Sequence, residues 1–113
     1  MRKLLLTAVM AIGMLYSAQA QNYTCSEVYN YVVNNYDNHS GGMTYITSSA
    51  LYEVDWYEVD GTNFAVVEFT SSSSKYIFCG ISDYDKLMFE IEAIGSGGKS
   101  YWKYIQPYKC NCK

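Results

Sequence analysis

The middle of the chain alternates between apolar and polar positions with a period of two, which is typical of β-strands that bury one face. Three such segments follow one another, at residues 50–57, 64–69 and 75–80. Short polar segments separate them: one around Asp60 and Gly61, a favourable pair for a tight turn, and one of four serines at 71–74. This spacing predicts a three-stranded antiparallel meander, which needs a cover on at least one face to be stable.

A helical pattern precedes the meander. Thr24 and Glu27 stand three residues apart, the spacing of a capping box in which each side chain binds the backbone N–H of the other. Behind them, Val28, Val32 and Tyr36 recur every four residues, which places them on one side of a helix. We therefore predict a helix of about three turns over residues 25–36, followed by a polar loop over residues 37–42.

The strongest helical pattern follows the meander. Ser82 and Asp85 have the spacing of a second capping box. The apolar residues behind them fall at i, i+3, i+4, i+7 and i+10 and are predicted to pack on the sheet: Tyr84, Leu87, Met88, Ile91 and Ile94. Glycines at 95, 97 and 98 are expected to end this helix. The predicted core is therefore Val54, Trp56, Phe69, Phe78, Leu87, Met88 and Ile91.

A short aromatic segment closes the chain. Tyr101, Trp102, Tyr104 and Ile105 predict one more turn of helix, and Pro107 ends it. The expected fold class is α+β: a three-stranded antiparallel meander covered by a helix, in the order α-β-β-β-α, plus a short C-terminal helical turn.

The first twenty residues have the form of a secretory signal peptide. Arg2 and Lys3 precede an apolar run over residues 4–15, and Ala18 and Ala20 suit a signal peptidase. The run is shorter than the roughly 20 residues that span a bilayer. We therefore expect cleavage after Ala20, a bacterial protein that is secreted or periplasmic, no membrane attachment after cleavage, and a single small domain over residues 21–113.

Four cysteines follow the predicted cleavage point, and an even number in a short exported chain indicates disulfides. A bond between Cys110 and Cys112 would close a very small ring, so Cys25 and Cys79 are each expected to pair with one of these two, in either combination. The resulting domain is disulfide-stapled. Zinc is the competing interpretation, but only Cys110 and Cys112 are clustered, so we expect no metal and no cofactor.

The chain contains no catalytic constellation that the sequence supports. Glu53 and Asp55 share a strand face, but a solvated face explains them without chemistry. His39, the one histidine, lies in the predicted loop. We therefore expect no enzymatic activity and a module that binds a protein or glycan partner. If the helix covers only one sheet face, tyrosines on the other face could form a flat platform: Tyr45, Tyr57, Tyr76, Tyr101 and Tyr104.

The order of motifs over residues 48–108 resembles the KTSC domain, a module of some lysyl-tRNA synthetases and of stand-alone bacterial proteins. The first motif is a serine pair before an aliphatic residue, Ser48-Ser49-Ala50-Leu51. The strand motifs are Val67-Glu68-Phe69 and the central Tyr76-Ile77-Phe78. The turn motif is Ser96-Gly97-Gly98, and the final aromatic and aliphatic positions are Trp102, Ile105 and Tyr108. The resemblance implies nucleic-acid (RNA) binding as the alternative function.

Nucleic-acid binding by this chain is expected to be weak and strongly salt-dependent, with bases stacked on Tyr76 or Phe78. Without Arg2 and Lys3 the chain has six lysines, no arginine and 11 acidic residues, a net charge of −5, which disfavours binding to phosphates. The candidate binding residues for either function are aromatic: Tyr57, Tyr76, Phe78, Tyr101 and Tyr104.

Overall fold

The computed structural model describes residues 23–44 and 50–112. The predicted signal peptide, Tyr45 and the serines at 48 and 49 lie outside the described residues. Within those residues, no helix is both long and apolar enough to cross a membrane.

The described chain is an α+β domain built on a four-stranded antiparallel sheet. Its strands lie in chain order, each beside the next. The fold class is confirmed, and the sheet has one strand more than predicted. The elements are α1 (Cys25–Asn35), β1 (Asn38–Thr44), β2 (Leu51–Val59), β3 (Thr62–Phe69), β4 (Lys75–Ile81), α2 (Asp83–Glu92), α3 (Gly97–Tyr104) and a 3₁₀ turn (Gln106–Tyr108).

The additional strand, β1, occupies the segment that was predicted to be a loop, so that prediction is wrong. His39 pairs with Tyr57 and Ser40 pairs with Trp56 across the β1–β2 ladder. The segment lacks the alternation of a half-buried strand and contains two glycines. An edge strand can form without that pattern, because every residue except proline carries a backbone donor and acceptor that a neighbouring strand can bind.

One face of the sheet is covered by α1. The predicted capping box is confirmed: Glu27 donates its backbone N–H to Thr24 Oγ1 at 3.0 Å, and Thr24 donates its own to Glu27 Oε1 at 2.8 Å. Val28 and Val32 are fully buried, as the four-residue spacing predicted. They form a cluster with side chains of the sheet: Val59, Phe64, Val66, Ile77 and Cys79.

The opposite face is covered by α2, α3 and the 3₁₀ turn. Phe89 and Ala93 of α2 are buried there with Tyr101, Tyr104 and Ile105. They pack on the sheet residues Leu51, Val54, Trp56, Ala65, Val67 and Phe78. The sheet is therefore covered on both faces, and the central strand β3 is buried without interruption from Asn63 to Val67.

The orientation of α2 differs from the prediction. Leu87 and Ile91, predicted as core residues, are each 54% exposed, whereas Phe89 is completely buried. Residues 87 and 91 lie roughly opposite residue 89 on a helix of 3.6 residues per turn. Periodicity therefore located an apolar side of the helix, but it was the side that faces away from the sheet. The remaining predicted core residues are buried or packed against the core: Val54, Trp56, Phe69, Phe78 and Met88.

Gly95 lies just after the end of α2, as predicted, and donates its N–H to the Glu92 carbonyl at 3.1 Å, whereas Gly97 and Gly98 have another role than predicted. The helix ends at Glu92, and Gly97 and Gly98 form the first turn of α3, where Ser96 accepts the backbone N–H of Lys99. The predicted C-terminal helical turn is confirmed as α3, which buries Tyr101 and Tyr104.

Two disulfides attach the C-terminal tail to the rest of the domain. Cys25 is bonded to Cys112, and Cys79 is bonded to Cys110. This confirms the disulfide prediction and selects one of the two pairings that the sequence left open. Between the 3₁₀ turn and these bonds, Lys109 pairs with Phe78 of β4 in an isolated β-bridge.

Candidate binding surfaces

The five predicted binding residues do not form one exposed face. Phe78, Tyr101 and Tyr104 are only 4%, 8% and 5% exposed. The tyrosine platform was expected only if one sheet face stayed uncovered, and both faces are covered, so Tyr101 and Tyr104 are buried instead of forming an exposed platform. Tyr57 is half-buried on the α1 side of the sheet. Tyr76, which is 47% exposed, is the only one of the five that presents a large surface to solvent. Since Phe78 is buried, it offers no ring on which a base could stack.

The buried tyrosines have structural roles. The Tyr101 ring lies edge-on to Phe69 and Phe78, with ring centroids 5.2 and 5.7 Å away, and its burial raises the pKa of its hydroxyl. Tyr104 donates its hydroxyl to Glu92 Oε2 at 2.6 Å. That hydrogen bond is the main reason that the pKa of Tyr104 is raised. These contacts tie α3 to the sheet and to α2.

His39 lies among aromatic rings at the β1 edge. Its ring stacks on Tyr57 with centroids 4.3 Å apart, Tyr36 lies 5.5 Å away, and His39 Nε2 is 3.5 Å from Asp55 Oδ1. Burial and then the charge of Asp55 raise the pKa of Tyr57. Within the described residues, no group of three or more His, Cys, Asp or Glu side chains is arranged to hold a metal ion.

Within the described residues, a group of exposed apolar side chains lies on the outward side of α2 and in the turn that follows it, and we call this group the outer stripe. Its four side chains are Tyr84, Leu87, Ile91 and Ile94, with 66%, 54%, 54% and 78% of their surface exposed. Their spacing of three or four residues stacks them along one side of the helix. A contiguous apolar patch of this kind is characteristic of a protein interaction site, whereas single exposed apolar residues are ordinary.

Acidic side chains border the outer stripe. Asp83 and Glu90 are exposed along one flank of it. On the other flank Asp85 accepts a hydrogen bond from the Tyr108 hydroxyl, and Glu92 accepts the one from Tyr104. The border of the outer stripe is therefore mainly acidic, with Lys103 as a basic residue within electrostatic range of Glu92 and Tyr84.

A second surface is a groove beside β4, which we call the edge groove. It lies between the start of α1, the first half of β4 and the C-terminal tail, and has a volume of about 520 Å³. Tyr29 and Tyr76 contribute aromatic surface, and Lys75 and Lys109 are its charged residues. The other lining residues are Cys25, Ser26, Ile77, Phe78, Cys110 and Cys112.

The two surfaces left different signals in the sequence. The outer stripe was recognised as a periodic pattern and wrongly assigned to the core. The edge groove was missed because its walls come from three distant segments, around residues 25–29, 75–78 and 109–112. The one signal for it was the cysteine arrangement, which predicted that Cys25 and Cys79 both meet the tail.

Comparisons with protein-family models, with curated proteins and with solved structures gave no match. The resemblance to the KTSC domain therefore stays a prediction.

Proposed function

We propose that this protein is an exported, non-catalytic binding module that engages a protein partner through the outer stripe of α2. The observation that carries the proposal is the exposure of four large apolar side chains along α2 and the turn that follows it, Tyr84, Leu87, Ile91 and Ile94. The two disulfides support export, since such bonds persist in oxidising compartments.

The outer stripe has no role in holding α2 on the sheet. That contact is made by Phe89 and Ala93, which are 0% and 1% exposed on the opposite side of the helix. An apolar side that the fold does not use adds an aggregation hazard and contributes little to stability. A partner that covers it removes this hazard and gains binding energy from the burial.

The acidic rim indicates the chemistry of the partner. Asp83 and Glu90 flank the outer stripe, and the whole chain carries a net charge of −3. Two copies joined through this surface would bring acidic rims together, which is unfavourable. We therefore infer a different protein, one with an apolar surface bordered by lysine or arginine.

The test is site-specific photo-crosslinking in the native host. A photoreactive phenylalanine analogue placed at Leu87 or Ile91 should give a covalent adduct with another protein, whereas the same analogue at the exposed Ser73, in the β3–β4 loop, should give none. Replacing Glu90 with lysine in the Leu87 crosslinking variant should weaken that adduct, because a rim charge is then reversed; Asp83 is left in place because it accepts a hydrogen bond from Asn63 Nδ2 at 2.7 Å. Adducts that join only two copies of this chain, or none at positions 87 and 91, would contradict the proposal.

A further inference from the structure

A cleft of about 300 Å³ lies between β1, β2 and α2, and we call it the β1 cleft. In the β1–β2 ladder, Asn38 pairs with Glu58 and Ser40 pairs with Trp56, so these four side chains point to the same face of the sheet. That face is the one covered by α2, which contributes Lys86. The polar and aromatic side chains that meet in the cleft are therefore Asn38, Ser40, Trp56, Glu58 and Lys86.

Trp56 brings a buried hydrogen-bond donor to the β1 cleft. The residue is 4% exposed, and within the described part of the chain its indole Nε1 has no acceptor. Buried polar groups are nearly always hydrogen-bonded, so each exception calls for a physical explanation. The Lys86 ammonium lies 5.5 Å from the centroid of the indole ring. Two donors therefore meet at one end of the cleft.

Acceptors lie beside these donors. Glu58 Oε1 accepts a hydrogen bond from Asn38 Nδ2 at 3.2 Å, which holds the carboxylate and the amide side by side on neighbouring strands. The Ser40 hydroxyl can donate and accept. Since Lys86 and Glu58 have opposite charges, the cleft has no net preference for an anion or a cation. Hydroxyl groups, which both donate and accept, fit this set of side chains best.

We propose that the β1 cleft binds a neutral, hydroxyl-rich small molecule of the size of a monosaccharide. Lys86 has a long, flexible side chain, and it turns from the indole ring to the ligand, which uncovers Nε1. One ligand oxygen then accepts from the Trp56 indole, and another hydroxyl donates to Glu58. The volume of about 300 Å³ is at the lower end of the range of roughly 300–1,000 Å³ that is usual for ligand sites, so one sugar ring fills it.

This site is separate from the outer stripe. None of the four outer-stripe residues lines the β1 cleft, so the proposal does not depend on the protein partner. Because Trp56 is buried, its contact with the ligand is a hydrogen bond at the edge of the indole and not stacking on its face.

The two tryptophans of the chain allow a direct test by NMR, since each gives one indole N–H signal. Glucose, galactose, mannose and N-acetylglucosamine are titrated separately into the purified, oxidised protein. At least one of these sugars should shift the Trp56 indole signal saturably. Trp102, which is 66% exposed on α3 and does not line the cleft, should stay unchanged as the internal control. A Trp102→Phe variant assigns the two signals.

Two variants locate the sugar. Glu58→Gln should weaken binding by about tenfold, as expected for loss of a hydrogen bond to a charged group. Its matched control is Glu90→Gln, an exposed carboxylate on α2 outside the cleft, which should leave binding unchanged. Lys86→Met keeps the length of the side chain without its ammonium and should also weaken binding, whereas Lys99→Met on α3 should not. Circular dichroism checks that each variant is folded.

Glycerol and glycine are the comparison ligands. Glycerol has hydroxyls without a ring, and glycine is a zwitterion that could pair with both Lys86 and Glu58. If either one shifts the Trp56 signal as strongly as the best sugar, the cleft does not select a sugar ring and the proposal is wrong.

Three further results would overturn the proposal. The first is an unchanged Trp56 signal with all four sugars, or equal shifts of both indole signals. The second is equal sugar binding by Glu58→Gln and Glu90→Gln, which would place the ligand elsewhere. The third is a nuclear Overhauser contact between the Trp56 indole proton and water that no sugar alters, since a water alone would then satisfy Nε1.

Discussion

Phe89 is the side chain that attaches α2 to the sheet. It is completely buried, and its ring lies edge-on to Trp56 with centroids 5.9 Å apart. We expect Phe89→Ala to lower the free energy of unfolding by about 3–5 kcal/mol, the usual cost of removing a buried ring. Leu87 lies on the opposite side of the same helix and buries less than half of its surface. Leu87→Ala should therefore lower the free energy of unfolding by about 1 kcal/mol or less.

Urea unfolding followed by circular dichroism measures both changes. The ratio between the two losses is the decisive quantity, since both variants truncate an apolar side chain of the same helix. If Leu87→Ala were the more damaging variant, α2 would be turned by about half a revolution from the orientation described, and the outer stripe would be part of the core.

The burial of a single residue was predictable where the apolar and polar pattern of its element indicated only one apolar side. Val54 and Trp56 alternate with Glu53 and Asp55 in β2, so the pattern indicates that these two apolar residues face the core, and both are buried. In α2 the pattern indicated two apolar sides, because Phe89 and Ala93 lie opposite Leu87 and Ile91. Which side meets the sheet depends on the fit of Phe89 against Trp56, and that contact joins residues far apart in sequence.

At the scale of elements, the turn between β2 and β3 is set by two residues with positive φ. Asp60 has φ 52° and Gly61 has φ 79°, the left-handed backbone of a two-residue hairpin turn. An added Cβ at Gly61 would meet no atom within 4 Å. Gly61→Ala should therefore destabilise by about 1–2 kcal/mol through backbone strain alone, with Ala at a neutral surface position as control.

Thermal or urea unfolding of the Gly61→Ala variant measures that loss, and the sheet register should stay unchanged in its amide spectrum. The Asp60 N–H donates to Asp37 Oδ2 at 2.8 Å, so the same turn also holds the link between α1 and β1. A loss well above the expected range would indicate that the strain spreads into this contact.

Elements with a local signal were predictable, and those that depend on a neighbour were not. The helix α1, the strands β2, β3 and β4, and both helix N-caps follow from spacing and capping residues. β1 was missed because its pairing with β2, and not a pattern in its own residues, makes this segment a strand. The same reason hid the edge groove, which no single element forms.

At the scale of the whole molecule, a small core on each face of the sheet and the two disulfides hold the helices and the tail against the sheet. Cys25 and Cys112 are 87 residues apart in sequence, and Cys79 and Cys110 are 31 apart. In the chain-entropy model each bond restricts the unfolded chain by about 4 kcal/mol, since the cost rises only with the logarithm of loop length. A domain of this size has a total stability of roughly 5–14 kcal/mol, so either bond is a large part of it.

The two bonds should therefore give similar losses of stability and different local effects. Replacing Cys25 and Cys112 with serine should release the first turn of α1 and the end of the tail, whereas replacing Cys79 and Cys110 should release the tail from β4. Hydrogen exchange followed residue by residue separates these effects: faster exchange at residues 25–29 is expected only in the first variant. Crosslinking from Leu87 should persist in both variants. Equal protection of α1 in the two variants would show that its packing on the sheet, and not the bond to Cys112, holds its first turn.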